Sequence, residues 1–169
     1  MVVRRGSFIS VLLIAGGILA LDRWTKHLAV EALSPGVSIP VFDNVFHLTL
    51  VHNRGAAFGF LPDAAFFFIF AALASIAGIA AAFLKPHLFE RIFGVGVTDA
   101  RVRTALALIL GGAAGNLVDR CRAGTVVDFL DFRIWPVFNF ADTAITCGGL
   151  LLALAMVCEA RRPDGSRTL

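Results

Sequence analysis

Residues 64–84 read AAFFFIFAALASIAGIAAAFL, 21 residues without one charge. A bilayer core takes about 20 mostly apolar residues as a helix, so this stretch is read as a membrane span. Three further apolar runs flank it. Ser7 to Leu21 is apolar for 15 residues before Asp22, Arg23 and Lys26 arrive. Thr104 to Val118 runs for 15 residues before Asp119 and Arg120, and Thr143 to Cys158 runs for 16 with Asp142 just ahead of it. Each of the three is short unless it takes in ionisable residues at one end. Four transmembrane helices are expected, near 7–27, 64–84, 103–121 and 138–158. Composition agrees: 58% of the 169 residues are apolar and 16% charged, against about 45–50% and about 25% in soluble domains. The expected fold is an all-α polytopic membrane protein, one integral domain over residues 1–169.

Met1–Leu21, with Arg4 and Arg5 ahead of an apolar stretch, also has the form of a secretory signal peptide. Asp22-Arg23-Trp24 is a poor cleavage site, no lipoprotein-type Cys follows, and three more spans do, so it is kept as a helix. With four spans, both termini and residues 85–103 share a side. That side holds nine of the fifteen basic residues against four acids, a net +5, while the other holds six against eight, a net −2. By the positive-inside rule the termini are cytoplasmic. The total of +3 is too small to suggest nucleic-acid binding. Three cysteines in no C-x-x-C pairing speak against a disulfide framework or a zinc site.

Residues 34–63 form the larger outer segment. Ser34-Pro35-Gly36 marks a turn. Val45 to Val51 alternates with period two, as a strand does, with Asp43-Asn44 at the hairpin turn. A small periplasmic β-sheet on the membrane surface follows. Residues 122–137 are read as a second outer loop, and Arg161–Leu169 as a polar tail.

The charges enter at the end of helix 1, the end of helix 3 and the start of helix 4, all at the outer leaflet. Ionisable residues inside a membrane are costly and mark function by default. Arg23 and Lys26 are read as long side chains snorkelling to water. Asp119, Asp128 and Asp142 are too short for that. In the third span Gly111 and Gly115 make a small-x-x-x-small face, and Gly112, Asn116 and Arg120 form a second stripe. Asn139 and Asp142 face one way on the fourth, with Thr146 a turn further in. Asp128 and Asp142 can therefore converge. Two close carboxylates share a proton, and such a pair can activate water and polarise a carbonyl. On spacing alone an ion pair of Asp119 or Asp142 with Arg120 reads equally well. No serine has a nucleophile-elbow context, and the four histidines form no H-E-x-x-H. A small transporter is the competing class, but transporters place their sites near the midplane, on internal repeats, and neither feature is present.

At these residues the chain resembles the lipoprotein signal peptidases (signal peptidase II) of bacteria. The resemblance rests on Leu21-Asp22-Arg23-Trp24-Thr25-Lys26, Asn53-Arg54-Gly55-Ala56-Ala57-Phe58, Gly115-Asn116-Leu117-Val118-Asp119-Arg120, Gly124-Thr125-Val126-Val127-Asp128-Phe129 and Phe138-Asn139-Phe140-Ala141-Asp142. Five short motifs in order on four spans make a specific match over nearly the whole chain. The resemblance implies an aspartic endopeptidase with Asp128 and Asp142 as catalytic dyad. It implies Asp22, Asn53, Gly55, Asn116, Arg120 and Asn139 around substrate and dyad, and Lys26, Gly112 and Asp119 are counted with them. It implies cleavage of prolipoproteins before a diacylglyceryl-modified Cys, in the bacterial inner membrane, on the periplasmic side. No metal, cofactor or nucleic-acid partner is expected. Membrane phospholipid is, and so is a monomer. Arg23 and Arg54 stand at positions that vary in the family.

Overall fold

The computed structural model describes residues 5–55 and 65–161. The chain runs α1 (Arg5–Ala32), β1 (Ser38–Phe42), β2 (Phe46–Asn53), α2 (Ala65–Leu84), α3 (Pro86–Phe93), α4 (Ala100–Ala123), β3 (Val126–Asp131) and α5 (Phe140–Ala160). Among the described residues four helices are long and apolar enough to cross a membrane: Ser7–Ala32, Phe66–Leu84, Ala100–Ala123 and Phe140–Ala160. The chain is thus mostly helical, a multi-pass membrane protein with one small sheet.

Helix α1 continues past its charged residues to Ala32 and ends ahead of the turn at Gly36, where φ is +79°. Asp22 and Lys26, one turn apart, pair with each other, so the charges do not break the helix. Asp99 caps α4 by accepting from the Arg101 N–H, and Gly124 closes it in the left-handed region, donating its N–H to the Arg120 carbonyl. Asn139 and Asp142 form a reciprocal capping box that starts α5.

Helix α4 is the hub, packed against α1, α2 and α5. Its glycines permit this. A Cβ at Gly111 would strike the Ala15 carbonyl and Ile18 of α1, and one at Gly112 would strike the Ala141 carbonyl and Ile145 of α5. One at Gly115 would strike Asp22 and press on Ala141, so α1 and α5 meet α4 at that level. The outer faces stay apolar, with Leu13, Phe70 and Leu150 exposed as lipid-facing residues are. The sheet is antiparallel in the order β1-β2-β3, its hairpin turn carried by Asn44 at φ 59°. Ala29, Leu33, Leu50 and Phe129 pin it to the end of α1.

Two parts of the expected organisation change. The segment expected as a second outer loop, residues 122–137, contributes β3, which pairs along β2 from His47↔Asp131 to Asn53↔Val126. Val126 and Phe129 bury in it, and six residues are too few for periodicity to reveal. The connection between the second and third spans holds α3, whose Phe89 lies in an apolar cluster with Val95, Val97, Val102 and Ala155.

Candidate active site

Strand β3 and the first turn of α5 bring Asp128 and Asp142 to one cavity. The cavity is about 550 Å³ in volume and is lined by both carboxylates, Asn53, Gly55, Asn116 and Arg120, with Phe68, Trp135 and Ile145 among its apolar walls. Each oxygen of the two carboxylates accepts one N–H. Asp128 Oδ1 accepts from Asn139 Nδ2 at 2.6 Å and Oδ2 from Asn53 Nδ2 at 2.9 Å. Asp142 Oδ1 accepts from Asn116 Nδ2 at 2.7 Å and Oδ2 from the Asn139 backbone N–H at 3.2 Å. All four donors are neutral amides. Asn53 is itself oriented, its Oδ1 accepting from Gly55 N–H at 3.0 Å.

Asn116 is oriented from behind. Lys26 Nζ lies 2.9 Å from its Oδ1, and Asn139 Nδ2 lies 3.1 Å from the same atom. An ammonium only donates, so the Asn116 oxygen faces Lys26 and its NH2 faces Asp142. Lys26 Nζ also forms ion pairs with Asp22 Oδ2 at 2.9 Å and Asp119 Oδ2 at 2.8 Å. Asp22 Oδ1 accepts from Ala141 N–H at 3.1 Å, and Arg23 pairs with Asp119. Lys26 is 1% exposed, so the snorkelling expected of it does not occur. Three acceptors on α1 and α4 satisfy its charge inside the protein. Arg23, partly exposed, pairs back toward the bundle as well.

The ion pair of Arg120 with Asp119 or Asp142 is also absent among the described residues. Asp119 turns to Lys26 and Arg23 instead. Arg120 donates Nη1–H to its own helix at the Asn116 carbonyl, 3.3 Å away, and lies over the Phe68 ring, 4.8 Å from its centroid. Thr146, expected a turn deeper in the site, is exposed. Gly112 carries no side chain into the site but lets α5 approach α4. Sequence reasoning misses Phe68, because one phenylalanine in the run Phe66-Phe67-Phe68 carries no distinguishing signal.

Asp128 is 2% exposed. Burial pushes its carboxyl up to about 7, and the neighbouring Asp142 carboxylate adds to the rise against the bonds from Asn53 and Asn139. Among the described residues the buried Asp128 carboxyl and the part-buried Asp142 carboxyl share one cavity wall and are hydrogen-bonded by amides, not by cations.

The family model for signal peptidase (SPase) II matches residues 14–158. The chain belongs to the signal peptidase II family. It is therefore an aspartic-type peptidase. A lipoprotein signal peptidase of Desulfitobacterium hafniense is 47% identical over 148 residues, covering 87% of this chain and 92% of that one. One of Halothermothrix orenii is 44% identical over 137 residues, covering 81% and 88%. A bacterial membrane enzyme solved by the in meso method at 2.3 Å resolution superposes with a TM-score of 0.80 at 27% identity, covering 95% of this chain and 94% of that one. The described part of this signal peptidase II chain thus shares its helical arrangement with a solved membrane enzyme.

Proposed function

We propose that this signal peptidase removes the signal peptide of prolipoproteins by cutting before the diacylglyceryl-modified Cys, with Asp128 and Asp142 as its catalytic dyad. The observation that carries the reading is the amide cage: two carboxylates facing one cavity, every oxygen bonded by a neutral N–H and, among the described residues, none by a cation. One of the two keeps a proton because both cannot ionise comfortably side by side. The ionised member takes a proton from water as it attacks the scissile carbonyl. The protonated member donates to the carbonyl oxygen; as the resulting gem-diol collapses, it takes a proton back from one hydroxyl, and the member that took the water proton gives it to the leaving amine. No step calls for a metal or a cofactor. Asn53, Asn116 and Asn139 keep the carboxylates in register, Lys26, Asp22 and Asp119 hold that frame, and Arg120 and Gly55 face the substrate.

The enzyme works in the bacterial inner membrane as a monomer among phospholipids, with both termini cytoplasmic and the cavity toward the periplasm. The charge asymmetry supports this side, and a lipidated Cys, whose acyl chains stay in the outer leaflet, needs its scissile bond there. In a Cys-free background, Asp43→Cys should react with an impermeant thiol reagent in intact cells while Thr98→Cys stays shielded. The reverse pattern would overturn the orientation.

The dyad is tested by Asp128→Asn and Asp142→Asn, nearly isosteric changes that remove proton exchange. Each should lower prolipoprotein cleavage by at least about 10²–10⁴-fold, the usual weight of a general acid or base. The double variant should lose little more than either one, because the pair acts as a unit. Folded Asp142→Asn protein cleaving at the wild-type rate would end the dyad reading.

A further inference from the structure

Arg120 is a guanidinium with five N–H donors, and among the described residues it spends one, at 3.3 Å, on the Asn116 carbonyl. It lines the cavity with Asp128 and Asp142 yet forms an ion pair with neither. A guanidinium next to two carboxylates at low dielectric is strongly drawn to them. Something holds it back, and the structure offers one such contact. The Phe68 ring of α2 lies under the Arg120 Cζ at 4.8 Å. This is within the range of a cation–π interaction, which gains strength when the pair is shielded from water. Phe68 is half-buried, and α2 carries no ionisable residue anywhere in Ala65–Leu84, so the ring is its means of engaging a cation.

We propose that Phe68 is a positioning residue for the peptidase reaction. By holding Arg120 against α2 it keeps the guanidinium off the dyad and leaves its free N–H groups for the backbone carbonyls of a substrate peptide in the cavity. Without the ring face, Arg120 swings to Asp142 or Asp128. That collapse has two effects. It fills the donors that would meet the substrate, and it places a cation against a carboxyl that must keep a proton. The other charged groups around the dyad are Lys26 and Asp22 from α1 and Asp119 from α4, which form ion pairs with one another and with Arg23. Arg54, at the sheet, is exposed. Among the described residues Arg120 is therefore the one cation that lines the cavity, and it has no ion pair. This inference rests on the dyad assignment.

The test uses purified full-length protein, a synthetic prolipoprotein and the variants Phe68→Leu and Phe68→Trp. Leu keeps an apolar side chain and removes the ring face; Trp keeps the face. Phe68→Leu should lower kcat/KM roughly tenfold, the scale of one cation–π contact, mostly through KM. It should also move the alkaline limb of the pH–rate profile to lower pH, because a cation against the pair favours its ionised form. Phe68→Trp should restore both. Arg120→Lys added to Phe68→Leu should lose less than the product of the two single losses. A Phe68→Leu enzyme with wild-type kcat/KM and pH limb would overturn the proposal. So would equal losses in Leu and Trp, the mark of altered cavity shape alone, and so would multiplicative losses with Arg120→Lys. Failure of the dyad itself reads differently: Asp128→Asn and Asp142→Asn would then stay active whatever stands at position 68.

Discussion

Two carboxylate pairs meet at neighbouring faces of α4, and they are built from different partners. Asp22 and Asp119 share Lys26, with Arg23 on Asp119. Two acids and two bases leave that knot formally neutral. Among the described residues Asp128 and Asp142 are hydrogen-bonded by amides only, so two ionised carboxylates would leave their cavity at −1 even with Arg120 beside them. The first pair can be satisfied without exchanging a proton, whereas the second is relieved most simply by keeping one. Asn116 belongs to both, with its oxygen in the knot and its NH2 in the cage. The contrast teaches that the enzyme separates the charges that hold helices together from the carboxyls proposed to do the chemistry, and couples them through one amide.

Breaking the knot should therefore cost fold, where changing the cage costs turnover. Lys26→Met leaves Asp22 and Asp119 buried without their common cation. Removing one partner of a buried ion pair costs about 3–5 kcal/mol. Thermal unfolding in detergent should show that loss for Lys26→Met, while Asp142→Asn stays within about 1 kcal/mol of wild type. A Lys26→Met protein as stable as wild type but inactive would erase the distinction and make Lys26 part of the chemistry.

The cage is more legible in the sequence than the knot. Asn139 and Asp142 stand three apart and Asn116 and Arg120 four apart, so helical spacing alone puts each pair on one face. The hairpin can be read from the alternation over Val45–Val51 and the turn at Asp43-Asn44, and the spans from runs of uncharged residues. Lys26 misleads because a charge at the end of an apolar run looks like one reaching for water. Only the approach of α4, which brings Asn116 and Asp119, shows that its three partners lie inside. Strand β3 escapes notice because Val126–Asp131 is too short for its periodicity to speak, and its pairing with β2 spans more than seventy residues of chain. Thr146 has the helical period of a site residue yet is exposed, because α5 turns Ala141, Ile145 and Gly148 to α4 instead.

The raised carboxyl of Asp128 sharpens the comparison through pH. Its pKa is about 7 in the fold and about 3.9 in the unfolded chain. The native state therefore holds a proton that the unfolded state has released between those limits. Stability should be full below about pH 4 and fall as pH rises toward 7. The fall is at most about 4 kcal/mol, at about 1.4 kcal/mol for each pH unit crossed. Asp128→Asn should remove this slope, so the variant gains stability over wild type at pH 8 and gains nothing at pH 4. Equal stability differences at the two pH values would mean that Asp128 is ionised throughout.

Asp131, three residues along the same strand, supplies the opposite sign and the smallest effect. Burial pushes its carboxyl up, but the Arg133 N–H at 2.8 Å, the Thr49 hydroxyl at 2.8 Å and the Arg133 guanidinium at 3.1 Å outweigh that and hold it below the usual carboxylate range. A group lowered in this way stabilises the fold above its unfolded value of about 3.9 and loses that contribution as pH falls through its folded value. The Arg133 side chain is half-exposed, so solvent screens the pair and the gain is about 0.5–1 kcal/mol. Asp131→Asn should cost that amount at pH 7 and nothing at pH 2, with prolipoprotein cleavage unchanged because Asp131 does not line the cavity. Two carboxyls of β3 would then show opposite stability slopes in one protein. Loss of cleavage in Asp131→Asn at unchanged stability would show that the active carboxyls extend along the strand beyond Asp128.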